Sequence, residues 1–374
     1  MEEKTVQIKL NNTLSAINNE NKQNSIFQTN QQCSKLTKIL IGLGILLLIV
    51  AFVLILLFAI LKVQNDDDDE DEDDRIPVIF DVDEGGDDMI AYIVANNSKK
   101  YNILGITTVS CFYYIEDVGK IWLRFLEHMN FDNKVYLGEN NPLMRTTIKN
   151  AFAHNYGVEF PYTNKTYESK GGVDFMYETL KLNKKKVTLF ALGPLTNLGK
   201  LIQRDKSVIS NINEIIIMGG AKYEGNVDEN PNAEWNIFND ADAASVVFNC
   251  GIQIQVVGQE IKMDFNDTFY QKLLDINTKS SIFIYNAGKG SFQNWGNNWV
   301  YDPIVVLYHL NHNLLEMKDY YTVVNTTGYG TNNTDYGTMY FWPAEGNIKP
   351  NIKYAEKLNL DECYKDLENY IRKY

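Results

Sequence analysis

The sequence predicts an α/β fold: a mostly parallel, Rossmann-like central sheet flanked by helices, preceded by one transmembrane helix. Three observations carry the expectation. Short β-rich runs alternate with helical patterns along the chain. Several of those runs are continuously apolar, as in strands buried on both faces. Carboxylates and glycines gather at the ends of these runs, where open α/β sheets bind ligands.

Taken in order, residues 1–38 are polar, rich in Asn and Gln, and weakly periodic. They read as a disordered cytosolic tail. Ile39–Leu61 is a run of 23 residues without charge, bracketed by Lys38 and Lys62. A run this long and this apolar predicts a membrane-spanning helix. Asp66–Asp74 is nine consecutive acidic residues, so residues 62–75 read as a solvated acidic spacer. Residues 76–374 form the remaining domain. Its expected strands are Pro77–Phe80, Ile103–Val109, Lys134–Leu137, Val187–Leu192, Glu214–Met218 and Ile252–Val257. Helical periodicity fills the gaps at Asp87–Asn96, Ile115–His128, Val173–Leu182, Leu195–Arg204 and Ala241–Asn249. A helix after Asp302, a β-rich stretch over Tyr320–Trp342 and a helix from Asp361 complete the chain.

The chain has 374 residues, 45% of them hydrophobic, enough for a large core. The net charge of −13 argues against a nucleic-acid partner. Residues 1–38 hold five Lys against three Glu, and the acidic run follows the apolar one. That asymmetry predicts a cytosolic N-terminus and an extracellular or lumenal C-terminal domain, a single-pass type II topology. Sequons at Asn96, Asn164, Asn266, Asn325 and Asn332 agree with an outside location and a glycoprotein. The four cysteines fit no metal spacing. Cys111, Cys250 and Cys363 read as small buried hydrophobes.

The densest chemistry lies in IPVIFDVDEGGDDMIAY, Ile76–Tyr92. A buried run stops at Asp81, and Asp83, Glu84, Asp87 and Asp88 follow with Gly85 and Gly86 among them. Carboxylates that converge at a strand end repel one another unless a hard cation sits among them, and oxygen ligands suit Ca²⁺ or Mg²⁺. An acidic loop with an N-capping Asp is the alternative. Three later stretches are also loaded. FALGPLTN spans Phe190–Asn197, IIIMGG spans Ile215–Gly220, and AEWN spans Ala233–Asn236. Asp302 follows Tyr301 and precedes Pro303, which also suits a helix N-cap with Pro at N1.

Together these stretches resemble the inosine–uridine-preferring nucleoside hydrolases. That family opens with D-x-D-P-G-x-D-D, and here Asp81–Asp88 departs from it only at Glu84. ITTV (Ile106–Val109), ALGPLTN (Ala191–Asn197), Met218–Gly220, Gly225-Asn226, AEWN, Asp242–Ala244 and Asp302-Pro303 follow in the family's order. The resemblance covers roughly residues 76–374. It implies Ca²⁺ held by Asp83, Asp88, the Leu192 carbonyl and Asp302. It implies Asp83 as general base for the cation-bound water. Asp87, Met218, Asn226, Glu234 and Asn236 would hold the ribose, and His154 would lie near the base. The implied reaction is hydrolysis of a ribonucleoside to base and ribose, serving nucleoside salvage, in a homodimer or homotetramer.

This chain departs from the family where a His acid for the leaving base is common: Tyr301 stands there instead. Phe112 stands where the family has a sugar-binding Asn. Trp295 and Trp299 are candidates to stack on a base. FDVDEG is also similar to the nucleophile stretch of haloacid-dehalogenase-type phosphatases, although glycines replace the residue expected two positions on. A non-catalytic Ca²⁺- or nucleoside-binding surface protein on the same fold is a second alternative.

Overall fold

The computed structural model describes residues 22, 34, 35, 37, 38, 40, 42–54, 74–144, 160–328 and 335–373. The chain divides into two units, Met1–Asp73 and Asp74–Tyr374. In the first, positions 42–54 are helical and their large apolar side chains are exposed. Among the described residues no helix is long and apolar enough to cross a membrane. The described turns thus fall short of the expected span, of which positions 39, 41 and 55–61 lie outside the described residues.

The second unit is built on a nine-stranded sheet. Its strands are β1 (Ile76–Val82), β2 (Tyr101–Thr108), β3 (Val135–Leu137), β4 (Val187–Ala191), β5 (Ile212–Met218), β6 (Ile254–Val257), β9 (Leu315–Val324), β10 (Met339–Pro343) and β11 (Ile352–Leu358). The order across the sheet is β10-β9-β11-β6-β5-β4-β1-β2-β3. All neighbours from β11 to β3 are parallel, and β9 pairs antiparallel with both β10 and β11. A separate two-stranded ribbon joins β7 (Met263–Asp264) to β8 (Trp299–Val300).

The chain winds outward from β1 through β2 and β3, then returns to β4 and winds the other way through β5 and β6. The winding reverses between β1 and β4, the topological switch point at which such sheets bind ligands. Both sheet faces are covered, as continuously apolar strands require. Val78, Phe80 and Val82 of β1 join one core with α1 (Gly86–Ser98), α2 (Ile115–Met129), α7 (Asp267–Ile276), α8 (Lys279–Trp295), α9 (Asp302–Leu310) and α10 (Leu360–Ile371). Ile79 points the other way, into a core with α3 (Gly172–Leu182), α4 (Thr196–Arg204), α5 (Trp235–Asn239) and α6 (Ala241–Phe248). Cys111, Cys250 and Cys363 are all free and buried.

Six of these elements were not expected from the sequence: α5, α7, α8, β7, β8 and β11. His309, which had no obvious partner in the sequence, is buried between the Tyr101 hydroxyl (2.7 Å) and Glu214 (3.1 Å).

Candidate active site

At the end of β1 the chain turns through Asp83, Glu84 and Gly85 into α1. The Gly85 N–H donates to Asp83 Oδ1 at 2.8 Å, and the Asp83 N–H donates to Asp88 Oδ1 at 3.2 Å. A Cβ at Gly85 would lie 2.3 Å from Asp88 Oδ2, so a larger residue there would push the Asp88 carboxylate aside. The start of α1 points its free N–H groups and positive dipole end toward Asp87 and Asp88, which favours acidic side chains in that turn. The start of α9 meets the same place, where the Tyr301 N–H donates to Asp87 Oδ2 at 3.3 Å. Asp87, Asp88 and Asp302 each bring a carboxylate oxygen within 4.8 Å of the others.

These groups are crowded and largely buried. Burial, reinforced by the neighbouring carboxylates, pushes Asp88 and Asp302 well above the usual carboxylate range. Burial also raises Asp87 and pushes Asp83 up to about 6. Asp302 Oδ1 is buried and has no hydrogen-bond partner among the described residues. An orphaned carboxylate oxygen within an all-oxygen cluster of like charges fits a hard divalent cation.

The sequence reading placed Asp83 with Asp88, Asp302 and the Leu192 carbonyl in the metal set. The closest carboxylate cluster holds Asp87 with Asp88 and Asp302, while Asp83 Oδ1 accepts from the Gly85 N–H and Asp83 stays beside Asp88. The Leu192 carbonyl accepts the Asn236 amide at 2.8 Å. Asp81 points away, accepting from Thr107 Oγ1 (2.6 Å) and Asn197 Nδ2 (2.7 Å), and burial raises it to about 7.

The opposite wall comes from β5 and α5. After Met218 the chain turns at Gly220, whose φ of +83° is left-handed and favours glycine. Glu234 caps α5. Its carboxylate accepts from the N–H groups of Gly220 (2.8 Å), Asn236 (2.8 Å) and Ile237 (3.1 Å). Burial outweighs those bonds and raises Glu234 to about 6. The Asn236 amide also reaches the Met218 carbonyl at 3.3 Å. Asn226 is held by the Trp235 N–H, which donates to its Oδ1 at 2.8 Å.

The carboxylate cluster and this opposite wall enclose one cavity of about 590 Å³. Asp83, Asp87, Asp88, Leu192, Met218, Asn226, Glu234, Asn236, Tyr301 and Asp302 line it. Its size suits a small polar ligand. His154 lies outside the described residues.

The sequence model of the inosine-uridine preferring nucleoside hydrolases matches residues 78–365. This chain belongs to that family. Among its relatives, uridine nucleosidase 1 of Arabidopsis thaliana is 38% identical over 191 residues, which is 49% of this chain and 56% of that protein. A pyrimidine-specific ribonucleoside hydrolase of Escherichia coli is 31% identical over 188 residues, 49% of this chain and 59% of its own. The chain therefore spans little more than half the length of these relatives. Among solved structures, a purine-preferring ribonucleoside hydrolase from Gardnerella vaginalis superposes with a TM-score of 0.70 at 23% identity, covering 79% of this chain and 98% of that one. An inosine-uridine preferring nucleoside hydrolase from Bacillus anthracis gives 0.69 at 18% identity, with 80% and 100% covered. Identities this low establish the nucleoside hydrolase fold.

The same cavity holds residues that sequence reasoning missed. Gln259 follows β6 as Asp83 follows β1, and its amide lies between Asn226 and Tyr301. Its place two residues beyond the end of a buried strand was the available signal. Trp235, inside the AEWN motif, stacks on Phe112 with ring centroids 5.0 Å apart and planes 14° apart. Trp299 is 37% exposed at the rim, with Lys262 Nζ 3.5 Å from its ring centroid.

Proposed function

We propose that this nucleoside hydrolase family member cleaves the N-glycosidic bond of ribonucleosides with Ca²⁺, releasing base and ribose for salvage. One observation carries the reading. A single cavity at the sheet's switch point joins a buried carboxylate cluster to the hydrogen-bonding groups of Asn226, Glu234 and Asn236.

Asp88 and Asp302, with Asp83 or Asp87 and the Leu192 carbonyl, would hold the cation. When bound, it supplies positive charge that orients the attacking water and lowers its pKa. Asp83, which lines the same cavity beside Asp88, would be the general base. A carboxylate placed there can accept the water's proton. The water oxygen bonds to the anomeric carbon, its proton passes to Asp83, and the glycosidic electron pair leaves with the base. Asp87, Asn226, Glu234 and Asn236 grip the ribose hydroxyls, and Met218 packs beneath the ring. The negative charge of Asp87 and Glu234, with the Asn amide dipoles, favours the oxocarbenium-like transition state. Tyr301 donates a hydrogen bond toward the departing base.

A second reading, a non-catalytic Ca²⁺- and nucleoside-binding surface protein, draws on Tyr301. Burial pushes its hydroxyl well above the usual range, so it gives up its proton reluctantly. The discriminating experiment incubates the purified full chain with Ca²⁺ and a panel of purine and pyrimidine ribonucleosides. Free ribose is expected. Nucleoside binding without ribose release favours the second reading.

Residues 39–61 are proposed to anchor the chain in a membrane with the catalytic domain outside the cytosol. The uncharged run between Lys38 and Lys62 supports this.

A further inference from the structure

We propose that Gln259 is a positioning residue that aims the Tyr301 hydroxyl proton into the cavity. The inference rests on the hydrolase reading above, and it concerns Gln259, which belongs to none of the motifs above, and Tyr301, where the chain departs from the family. An amide side chain has two similar ends, so its polarity has to be read from a partner whose role is fixed. That partner here is the backbone N–H of Trp235, which can only donate. It lies 2.8 Å from Asn226 Oδ1, so that end of Asn226 is oxygen. The Asn226 nitrogen then faces Gln259 at 3.2 Å and donates, so Gln259 presents its oxygen there. Only the nitrogen of Gln259 is left for the Tyr301 hydroxyl, 3.3 Å away.

The Tyr301 oxygen is thus an acceptor at this contact. Its own proton has to point elsewhere, and among the described residues no protein acceptor takes it. Tyr301 lines the cavity, so the proton is free for a ligand. Turning Gln259 over would set two N–H groups against each other at Asn226. Wholesale rotation is also restrained. Gln259 is only 7% exposed, and its backbone N–H donates to the Gly220 carbonyl at 2.8 Å. A residue merely filling buried space would hold no such directional chain.

Two substitutions separate orientation from filling. Gln259→Glu keeps the shape but puts an acceptor against Tyr301, which takes the hydroxyl proton out of the cavity. Gln259→Met keeps the volume and lets the hydroxyl rotate. Ribose release from inosine and uridine is measured with the purified full chain, alone and combined with Tyr301→Phe. Gln259→Glu is expected to lower kcat about 10-fold with little change in KM, roughly the worth of one hydrogen bond. Gln259→Met should lose about 3-fold on the same scale. Neither should cost anything further once Tyr301 is Phe. A Gln259→Glu loss of equal size in the Tyr301→Phe background would overturn the proposal, because Gln259 would then act on the sugar or through charge. Thermal unfolding checks that each variant folds, and if the Glu variant does not, the Met cycle decides alone by the same criterion. Should the parent bind nucleoside without releasing ribose, the hydrolase reading fails. The same cycle is then read on Kd, through the fluorescence of Trp235 and Trp299. A parent that neither binds nor hydrolyses overturns both.

Discussion

The buried carboxylate of Glu84 accepts a hydrogen bond from the backbone N–H of Phe112. These are two of the positions at which the chain departs from the family pattern, and the bond ties the loop of one to the side chain of the other. The loop that Glu84 holds places the Phe112 ring against Trp235, whose indole N–H donates to Cys111 Sγ at 3.1 Å. Burial, with the Asp83 charge behind it, pushes the Glu84 carboxyl well up, which makes a neutral amide a close mimic. Glu84→Ala should therefore cost about 1–3 kcal/mol, the penalty for removing a buried acceptor. Glu84→Gln should cost less than Ala. Urea denaturation of each variant measures the difference, and an Ala variant as stable as the parent would contradict it.

The carboxylate cluster predicts a metal dependence that can be read without turnover. Asp88→Asn and Asp302→Asn each remove one anionic oxygen from a site with few others. Loss of an outer partner typically weakens metal binding 10–100-fold, so losing a ligand should cost about 100-fold or more. Calorimetry with Ca²⁺ tests this. A variant that binds Ca²⁺ as tightly as the parent is not missing a ligand.

What could be read in advance follows from where the physics is local. β1 and β5 were legible because a continuously apolar run that ends in Asp or Gly has few other folds. β11 was not, because Lys353, Glu356 and Lys357 break up its apolar residues. Its extended state is imposed by β6 on one side and β9 on the other. α8 carries Ile282, Ile284, Gly288 and Gly290, poor helix formers, and is held by burying Phe283, Ile284 and Ala287. The same division applies to the cavity. Carboxylates after a strand are conspicuous by type and place. A neutral Gln after a strand is ordinary loop chemistry until Asn226 and Tyr301, distant in sequence, arrive on either side of it.

Glu234 predicts a pH effect on stability. Its folded-state value of about 6 lies above its ordinary 4.5. The folded chain therefore binds this proton more readily than the unfolded chain does, and stability falls as pH rises from 4.5 through 6. Over that window the shift is worth about 2 kcal/mol. Glu234→Gln cannot titrate. Relative to this variant, the parent should gain about 2 kcal/mol between pH 7 and pH 4.5. Denaturant unfolding at both pH values decides it, and a parent that loses ground on acidification refutes the shift.

The proposed anchor predicts which side of a membrane the domain occupies. Protease added to intact cells or sealed vesicles should digest the domain beginning at Asp74 and spare a tag at the N-terminus. The reverse pattern means the orientation is inverted. A chain recovered wholly in the soluble fraction means residues 39–61 do not span.

Tyr301 separates proton transfer from hydrogen bonding at the leaving base. Full general-acid catalysis is worth about 10²–10⁴-fold. A hydroxyl held above its usual range by burial is a weak acid, yet it remains a good hydrogen-bond donor. Tyr301→Phe keeps the ring and removes the hydroxyl. With a purine ribonucleoside, whose base leaves poorly, the loss should be about 10-fold, the scale of one hydrogen bond. With p-nitrophenyl riboside, whose leaving group needs little assistance, it should be far smaller. A loss of 10³-fold confined to the purine substrate would make Tyr301 a true acid despite its burial. Equal losses on both substrates would mean that Tyr301 acts on the sugar or, through its N–H to Asp87, on the carboxylate cluster. Selective but modest loss is the expected result, because the geometry supplies an aimed proton while the environment resists giving it away.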